Sequence, residues 1–220
     1  IPSVGFKISR FVVDPNRAPE LGDPSLNAMG QVLWYTPVIN EKGEFDADGR
    51  TYEQGQEPNA EEVQDLVERF YMPYYQSLLS VVGALADRRT ENGQRVLFID
   101  GHSFPLSETV TPYYKKYGNV DSEKWPLFII GDRGGTSCDP DIRDAFARAL
   151  ENTCNALSPD DRAHLMRNQR NDAIVGLNDP FNGVHNVRFF GERNQGVNAL
   201  QLEVSEGPFM DNPRGDWYSA

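Results

Sequence analysis

Four short apolar runs constrain this chain most: Arg95–Ile99, Leu127–Ile130, Ala173–Leu177 and Ala199–Val204. Each has the length and composition of a buried strand. The stretches around the first three read as helix. Asn59 is a good N-cap, with Glu61 and Glu62 in the first turn behind it. Val63, Leu66, Val67, Phe70, Tyr74, Leu78, Val81, Val82 and Leu85 then recur at helical spacing. Pro73 should kink or split that helix near its middle. Asp139 followed by Pro140 starts a second helix, with Ile142, Ala145, Phe146, Ala149 and Leu150 as its core face. Ser158-Pro159 starts a short third one. Strands alternating with helices indicate an α/β fold with a mostly parallel or mixed sheet.

The N-terminal part is less regular. Phe6 to Val13 reads as a strand, and Asp14-Pro15-Asn16-Arg17 ends it. Residues 18–31 are rich in Pro, Gly and Asn and read as a loop, and Val32 to Ile39 reads as extended. Turns follow at Asn40–Glu44 and Asp46–Gly49. The expectation is a single domain over residues 1–220 with a loop or hairpin excursion at about 18–58. The chain opens on Ile1-Pro2-Ser3, without Met or a signal-peptide pattern, and reaches Phe11-Val12-Val13 almost at once. It reads as a chain entered partway.

Charge narrows the function classes. The net charge is -12 and the sequence pI is about 4.7. Nucleic-acid binding needs a basic face, and anionic membranes repel an acidic one. Mean hydropathy is -0.57, and no apolar run approaches the roughly 18 residues of a membrane span. An acidic surface still permits an anionic substrate, because a few arginines in a cleft set the local potential. The two cysteines, Cys138 and Cys154, lie on either side of one predicted helix and make no disulfide framework. Reduced, cytoplasmic conditions suit them.

Polar residues gather where the strands end. They are Asp14, Asn16 and Arg17; Asp100, His102 and Ser103; Asp132 and Arg133; and Asn178 with Asp179. Ligands of open α/β sheets bind outside the carboxyl ends of the strands. The plain alternative is that loops are polar everywhere. Glu203 resists that alternative, since a carboxylate inside Leu200–Val204 is costly unless paired. Facing a cleft, its pKa would rise towards neutrality, which suits a general base.

Five segments together resemble the N-formylglutamate amidohydrolases. They are Ser9–Arg17, Asp100–Ser103, Gly131–Thr136, Asn178–Gly183 and Ala199–Val204. They occur in the family's order and span nearly the whole chain. The resemblance extends distantly to zinc carboxypeptidases and aspartoacylase-like deacylases. It implies a three-layer fold with a mixed, mostly parallel sheet between helices. It implies hydrolysis of N-formyl-L-glutamate, or a similar N-acyl acidic amino acid, to formate and glutamate, a step of histidine degradation. Zinc would activate the water, with His102 as a metal ligand and Glu203 as general base. Arg133 and Arg10 would meet a second carboxylate or the developing oxyanion. Asn16 and Arg17 would hold a substrate carboxylate, and Asn178 and Gly183 would shape the pocket wall. The chemistry is coherent: arginine binds carboxylates bidentately, and zinc lowers the pKa of its bound water to about 7.

The chain also departs from that pattern. A site of this kind needs three protein ligands, and the family places a histidine and an acid upstream of Ile1. The expectation is therefore a fragment, or a member that does not use zinc in the usual way. His164 reads as solvated and His185 as a residue beside the site. Phe209-Met210 stands where the family has a tyrosine. The Gly131–Ser137 loop lacks the lysine of a phosphate loop. Ser103 lies in no Gly-x-Ser-x-Gly elbow. Tyr71, Tyr74 and Tyr75 read as core and rim rather than an aromatic platform. Two alternatives stay open: a related zinc metallopeptidase, and a metal-free binding protein on a hydrolase scaffold.

Overall fold

The computed structural model describes residues 2–8, 13–17, 38–39, 45–46, 58–92, 95–104, 125–166, 172–179, 181–192 and 196–209. The chain divides into two compact units, Ile1–Val96 and Leu97–Ala220.

In the first unit, β1 (Val38–Ile39) and β2 (Phe45–Asp46) pair antiparallel. The strand expected over Phe6–Val13 is not seen: residues 2–8 and Val13 form no strand, and residues 9–12 lie outside the described set. Phe6 instead packs against Tyr74, ring edge to face, at 5.1 Å. Helix α1 (Ala60–Leu66) begins at Asn59 with a full capping box. The Asn59 side chain accepts from the Glu61 and Glu62 amides, and Glu62 accepts from the Asn59 amide at 2.8 Å.

A wide π turn, Val67–Tyr71, joins α1 to α2 (Met72–Asn92). Proline cannot donate to the carbonyl four residues back. For Pro73 that carbonyl belongs to Arg69, inside the wide turn, so the break falls just before the proline. The extra residue in the turn also shifts the helix phase. Val63, Val67, Tyr71, Tyr75, Leu78 and Val82 are the buried stripe, so Tyr71 and Tyr75 replace the expected Phe70 and Tyr74. Their rings stack at 5.4 Å, and the Tyr71 hydroxyl donates to the Arg17 carbonyl at 2.8 Å.

The second unit is built on a four-stranded mixed sheet in the order β3-β6-β4-β5. The strands are β3 (Val96–Phe104), β4 (Phe128–Gly131), β5 (Val175–Leu177) and β6 (Val197–Ser205). β4 runs parallel to β5 and antiparallel to β6, with Ile129 opposite Glu203 and Gly131 opposite Gln201. Helix α3 (Pro140–Asn155) covers one face. Its Ile142, Phe146, Ala147 and Leu150 pack on Ile130, Cys138 and Leu200. Ala145 and Ala149, expected on that face, are exposed, because Ala147 lies one turn from both Arg143 and Leu150 on the sheet side. Phe104, Trp125 and Ile129 form the core of the opposite face, with Phe181 packed on them. The short helix α4 (Pro159–Met166) starts where Ser158 predicts, and Ser158 Oγ accepts the Asp161 amide.

A candidate active site on one face of the sheet

β3 is longer than the apolar run that announces it. Asp100, His102 and Ser103 were expected to follow the strand; they lie within it. The strand continues because Phe104 is buried against Trp125 and Ile129. Side chains alternate along a strand, so Asp100 and His102 share the face of Phe104, while Ser103 turns the other way. There Ser103 Oγ donates to Glu206 at 2.8 Å, and no serine nucleophile is built.

Glu203 occupies the same face. It stands opposite Ile129 in the ladder, and Ile129 packs with Phe104. Glu203 is 6% exposed. The Gln201 amide two residues earlier donates to its Oε1 at 2.5 Å, which satisfies part of the need of a buried carboxylate. Gln201 Oε1 is itself buried without a hydrogen-bond partner.

His102 and Asp100 form a pair, with Nε2 to Oδ2 at 3.1 Å. The contact has ion-pair distance but not hydrogen-bond alignment, since Asp100 Oδ2 has no aligned donor. Asn186, on the short helix α5 (His185–Val187), approaches the other oxygen of Asp100 at 3.5 Å. This segment crosses the face as a strap. Phe181 lies on Phe104, Asn186 reaches Asp100, and Phe190 meets Phe98 at 4.7 Å.

The third group sits where β4 and β5 end. Asp132 is fully buried. Its carboxylate accepts from Arg143 at 3.0 Å, the Gly135 amide at 3.0 Å and the Asn178 amide at 2.6 Å. Asn178 Oδ1 in return accepts the backbone amides of Asp132 and Gly134. The turn so held contains Arg133, Gly134 and Gly135, all with positive φ. Arg133 at φ 55 pays about 1 kcal/mol for that conformation. Gly131 must lack a side chain: a Cβ there would lie 2.5 Å from the Gly183 nitrogen. Arg133 then donates from Nη1 to the Gly183 carbonyl at 3.2 Å and from Nε to Glu192 at 2.6 Å. Glu192 lies at the end of a second π turn, Arg188–Glu192. Its carboxyl is held below the usual glutamate range, first by the Arg133 hydrogen bond and also by Thr136.

The expected residues therefore fall into groups. His102 and Glu203 share one face, and Arg133, Asn178 and Gly183 meet at its edge. Asn16 and Arg17 belong to the first unit. There the Asn16 amide donates to Asp14, and Arg17 Nη1 donates to the Asn16 carbonyl. Arg10 lies outside the described residues. Gln201, Asn186 and Glu192 are not among the candidates read from the sequence, and Asp100 is read there only as one of the polar residues at a strand end. Two of them had a signal: Asp100 and Gln201 each stand two residues from His102 and Glu203, the spacing that puts strand side chains on one face.

Zinc of the expected kind takes three protein ligands. Among the described residues, no three His, Cys, Asp or Glu side chains gather to hold a metal. Asp100 is a carboxylate partner of His102 among the described residues. The described residues thus do not compose such a centre by themselves. A cavity of about 250 Å³ opens beside the start of α3, lined by Thr136, Ser137, Cys138, Glu192 and Asn198 among others. None of the expected site residues lines it. No helix among the described residues is long and apolar enough to cross a membrane.

Residues 1–210 match the family model for N-formylglutamate amidohydrolase. The N-formylglutamate deformylase of Pseudomonas aeruginosa is 29% identical over 204 residues, covering 92% of this chain and 62% of that protein. That of Pseudomonas putida is 27% identical over 208 residues, covering 94% and 64%. The crystal structure of N-formylglutamate amidohydrolase from Ralstonia eutropha JMP134 superposes with a TM-score of 0.57 at 25% identity, over 90% of this chain and 61% of that one. The chain spans a little over three-fifths of the length of these relatives.

Proposed function

Because this chain belongs to the N-formylglutamate amidohydrolase family, we propose that it hydrolyses N-formyl-L-glutamate, or a close N-acyl acidic amino acid, to the acyl acid and glutamate. The observation that carries the reading is Glu203: a buried carboxylate, bonded to Gln201, on the sheet face that also holds His102 and Asp100.

Hydrolysis adds water across the amide C–N bond. Glu203 takes a proton from the attacking water and returns one to the departing nitrogen, the two duties of a general base that turns acid. Burial strengthens every such interaction, because little water competes. Arg133 offers a guanidinium to a substrate carboxylate or to the oxygen that gains charge, on a turn that Asp132 and Asn178 hold rigid. Gly183 lets the strap approach that turn. By the family resemblance, Asn16, Arg17 and Arg10 serve the substrate's carboxylates, and the fold shares its ancestry with zinc carboxypeptidases. The site resides in cytoplasmic chemistry of a small anionic substrate, with no nucleic acid or membrane as partner.

Glu203→Gln tests the proposal. It should lower turnover of N-formyl-L-glutamate at least a hundredfold, the usual worth of a general base, while binding of the substrate persists. Full activity in the variant would overturn the mechanism. Zinc is tested apart from this, by elemental analysis of the dialysed chain and of His102→Ala. About one metal ion per chain, lost in the variant, makes His102 a ligand whose set is completed outside the described residues. Equal metal in both assigns His102 to its pairing with Asp100.

A further inference from the structure

We propose that Glu192 determines specificity: it is an internal carboxylate that occupies Arg133 until an acidic ligand takes its place. The inference rests on the reading of Arg133 as a holder of the substrate's charge.

The donors around Glu192 are those that would receive a foreign carboxylate. Oε1 accepts from Arg133 Nε at 2.6 Å and from the Thr136 hydroxyl at 2.9 Å. Oε2 lies 3.6 Å from Arg188 Nε, four residues back in the same π turn. Two guanidinium groups and a hydroxyl converge on one acid. Such an array is an anion seat already filled by the chain.

The seat can be reached and vacated. The side chains of Arg133 and Glu192 are 29% and 27% exposed, and Glu192 and Thr136 face the cavity beside α3. Arg133 is the fixed partner, because Asp132 and Asn178 anchor its turn from beneath. Glu192 is the movable one, and Arg188 stands ready as its second partner. The exchange trades one carboxylate for another, so Arg133 is never left without a counter-charge. A neutral ligand offers no such trade. Glu192 therefore holds down the affinity for acids, which must displace it from Arg133, while an amide leaves the pair in place.

Titration calorimetry on the 220-residue chain tests this with N-acetyl-L-glutamate and its neutral-tailed analogue N-acetyl-L-glutamine. Glu192→Gln should bind the diacid about fivefold tighter, the size of an exposed ion pair, and leave amide binding nearly unchanged, so that the preference for the diacid widens. Arg188→Gln should weaken diacid binding, because Glu192 loses its second partner. Thr136→Val should tighten it modestly, which keeps the test alive if Glu192→Gln folds poorly. Equal diacid affinity in all four proteins, equal gains for both ligands, or no diacid binding at all would overturn the proposal. N-Formyl-L-glutamate turnover by the unaltered chain is measured alongside. Turnover with unchanged affinities would sink the role of Glu192 and leave the hydrolase reading standing. Shifted affinities without turnover would do the reverse.

Discussion

Asn178 and Asp132 hold each other twice: the Asn178 amide donates to the Asp132 carboxylate at 2.6 Å, and its oxygen accepts the Asp132 backbone amide at 2.9 Å. The two residues close the ends of neighbouring parallel strands. Asn178 adopts φ 58 to do so, a conformation that asparagine tolerates better than most residues. The clasp anchors the turn that carries Arg133.

Asp132→Asn should therefore cost stability and activity together. Asp132 is fully buried and paired with Arg143, and removing one partner of such a pair costs about 3 kcal/mol. Thermal unfolding should show a drop of several degrees, and the variant should bind N-acyl glutamate more weakly. An unchanged midpoint would mean that Arg143 finds full compensation in Asp144, its other partner at 2.8 Å.

Gly131→Ala is expected to be worse than Gly134→Ala. The new methyl at 131 would meet backbone atoms of Asn182 and Gly183 at 2.6 and 2.5 Å, and backbone of the strap cannot yield cheaply. We expect a loss of about 2 kcal/mol or more, with activity lost as Gly183 leaves Arg133. At 134 the space is open and only the positive φ is strained, for about 1 kcal/mol. Denaturant midpoints of the two variants give the comparison directly.

The Glu192 carboxyl predicts an acid-side effect. Its pKa is lowered in the folded chain, chiefly by Arg133. A lowered pKa stabilises the fold above the ordinary glutamate range, and that contribution disappears as pH falls through the folded value. The gap in melting temperature between the unaltered chain and Glu192→Gln should thus be widest near neutrality and close on acidification. A gap that stays constant with pH would contradict the pairing.

The cysteines should be quiet. Cys138 and Cys154 are both free and buried. Burial, with Asp132 nearby, pushes the Cys138 thiol up to about 11, and burial also raises Cys154. Only thiolate reacts with iodoacetamide, so labelling at pH 8 should be slow in the native chain and fast in urea. The sign for stability is opposite to that of Glu192: a raised thiol pKa loses its contribution as pH climbs from the ordinary cysteine range towards 11.

Much of the fold is written in local patterns. The apolar runs mark β3, β4, β5 and β6, and Asn59, Pro140 and Ser158 mark helix starts within a residue. Boundaries were harder where burial is decided from afar. Asp100-Gly101-His102-Ser103 carries no strand signal of its own; it is strand because Phe104 finds Ile129 and Trp125. The phase of the long helix slipped by one residue because a π turn leaves no mark in composition. Of the candidate site, the sequence singled out the strand-borne His102 and Glu203, which the sheet brings to one face. The bond from Arg133 to Glu192 joins residues 59 apart, and no local rule reaches that far.

The placement of His102 inside β3 gives the strand the character of a reading frame. Even-numbered positions from Asp100 to Phe104 present the pair and its anchor, and odd-numbered ones present Gly101 and Ser103 to the other side. A lengthened loop elsewhere would leave that frame intact. A single residue deleted early in β3 would move the whole message to the opposite page, bringing Ser103 to face Glu203 and sending the imidazole away. Errors in this strand are therefore discrete: the chemistry survives them whole or vanishes.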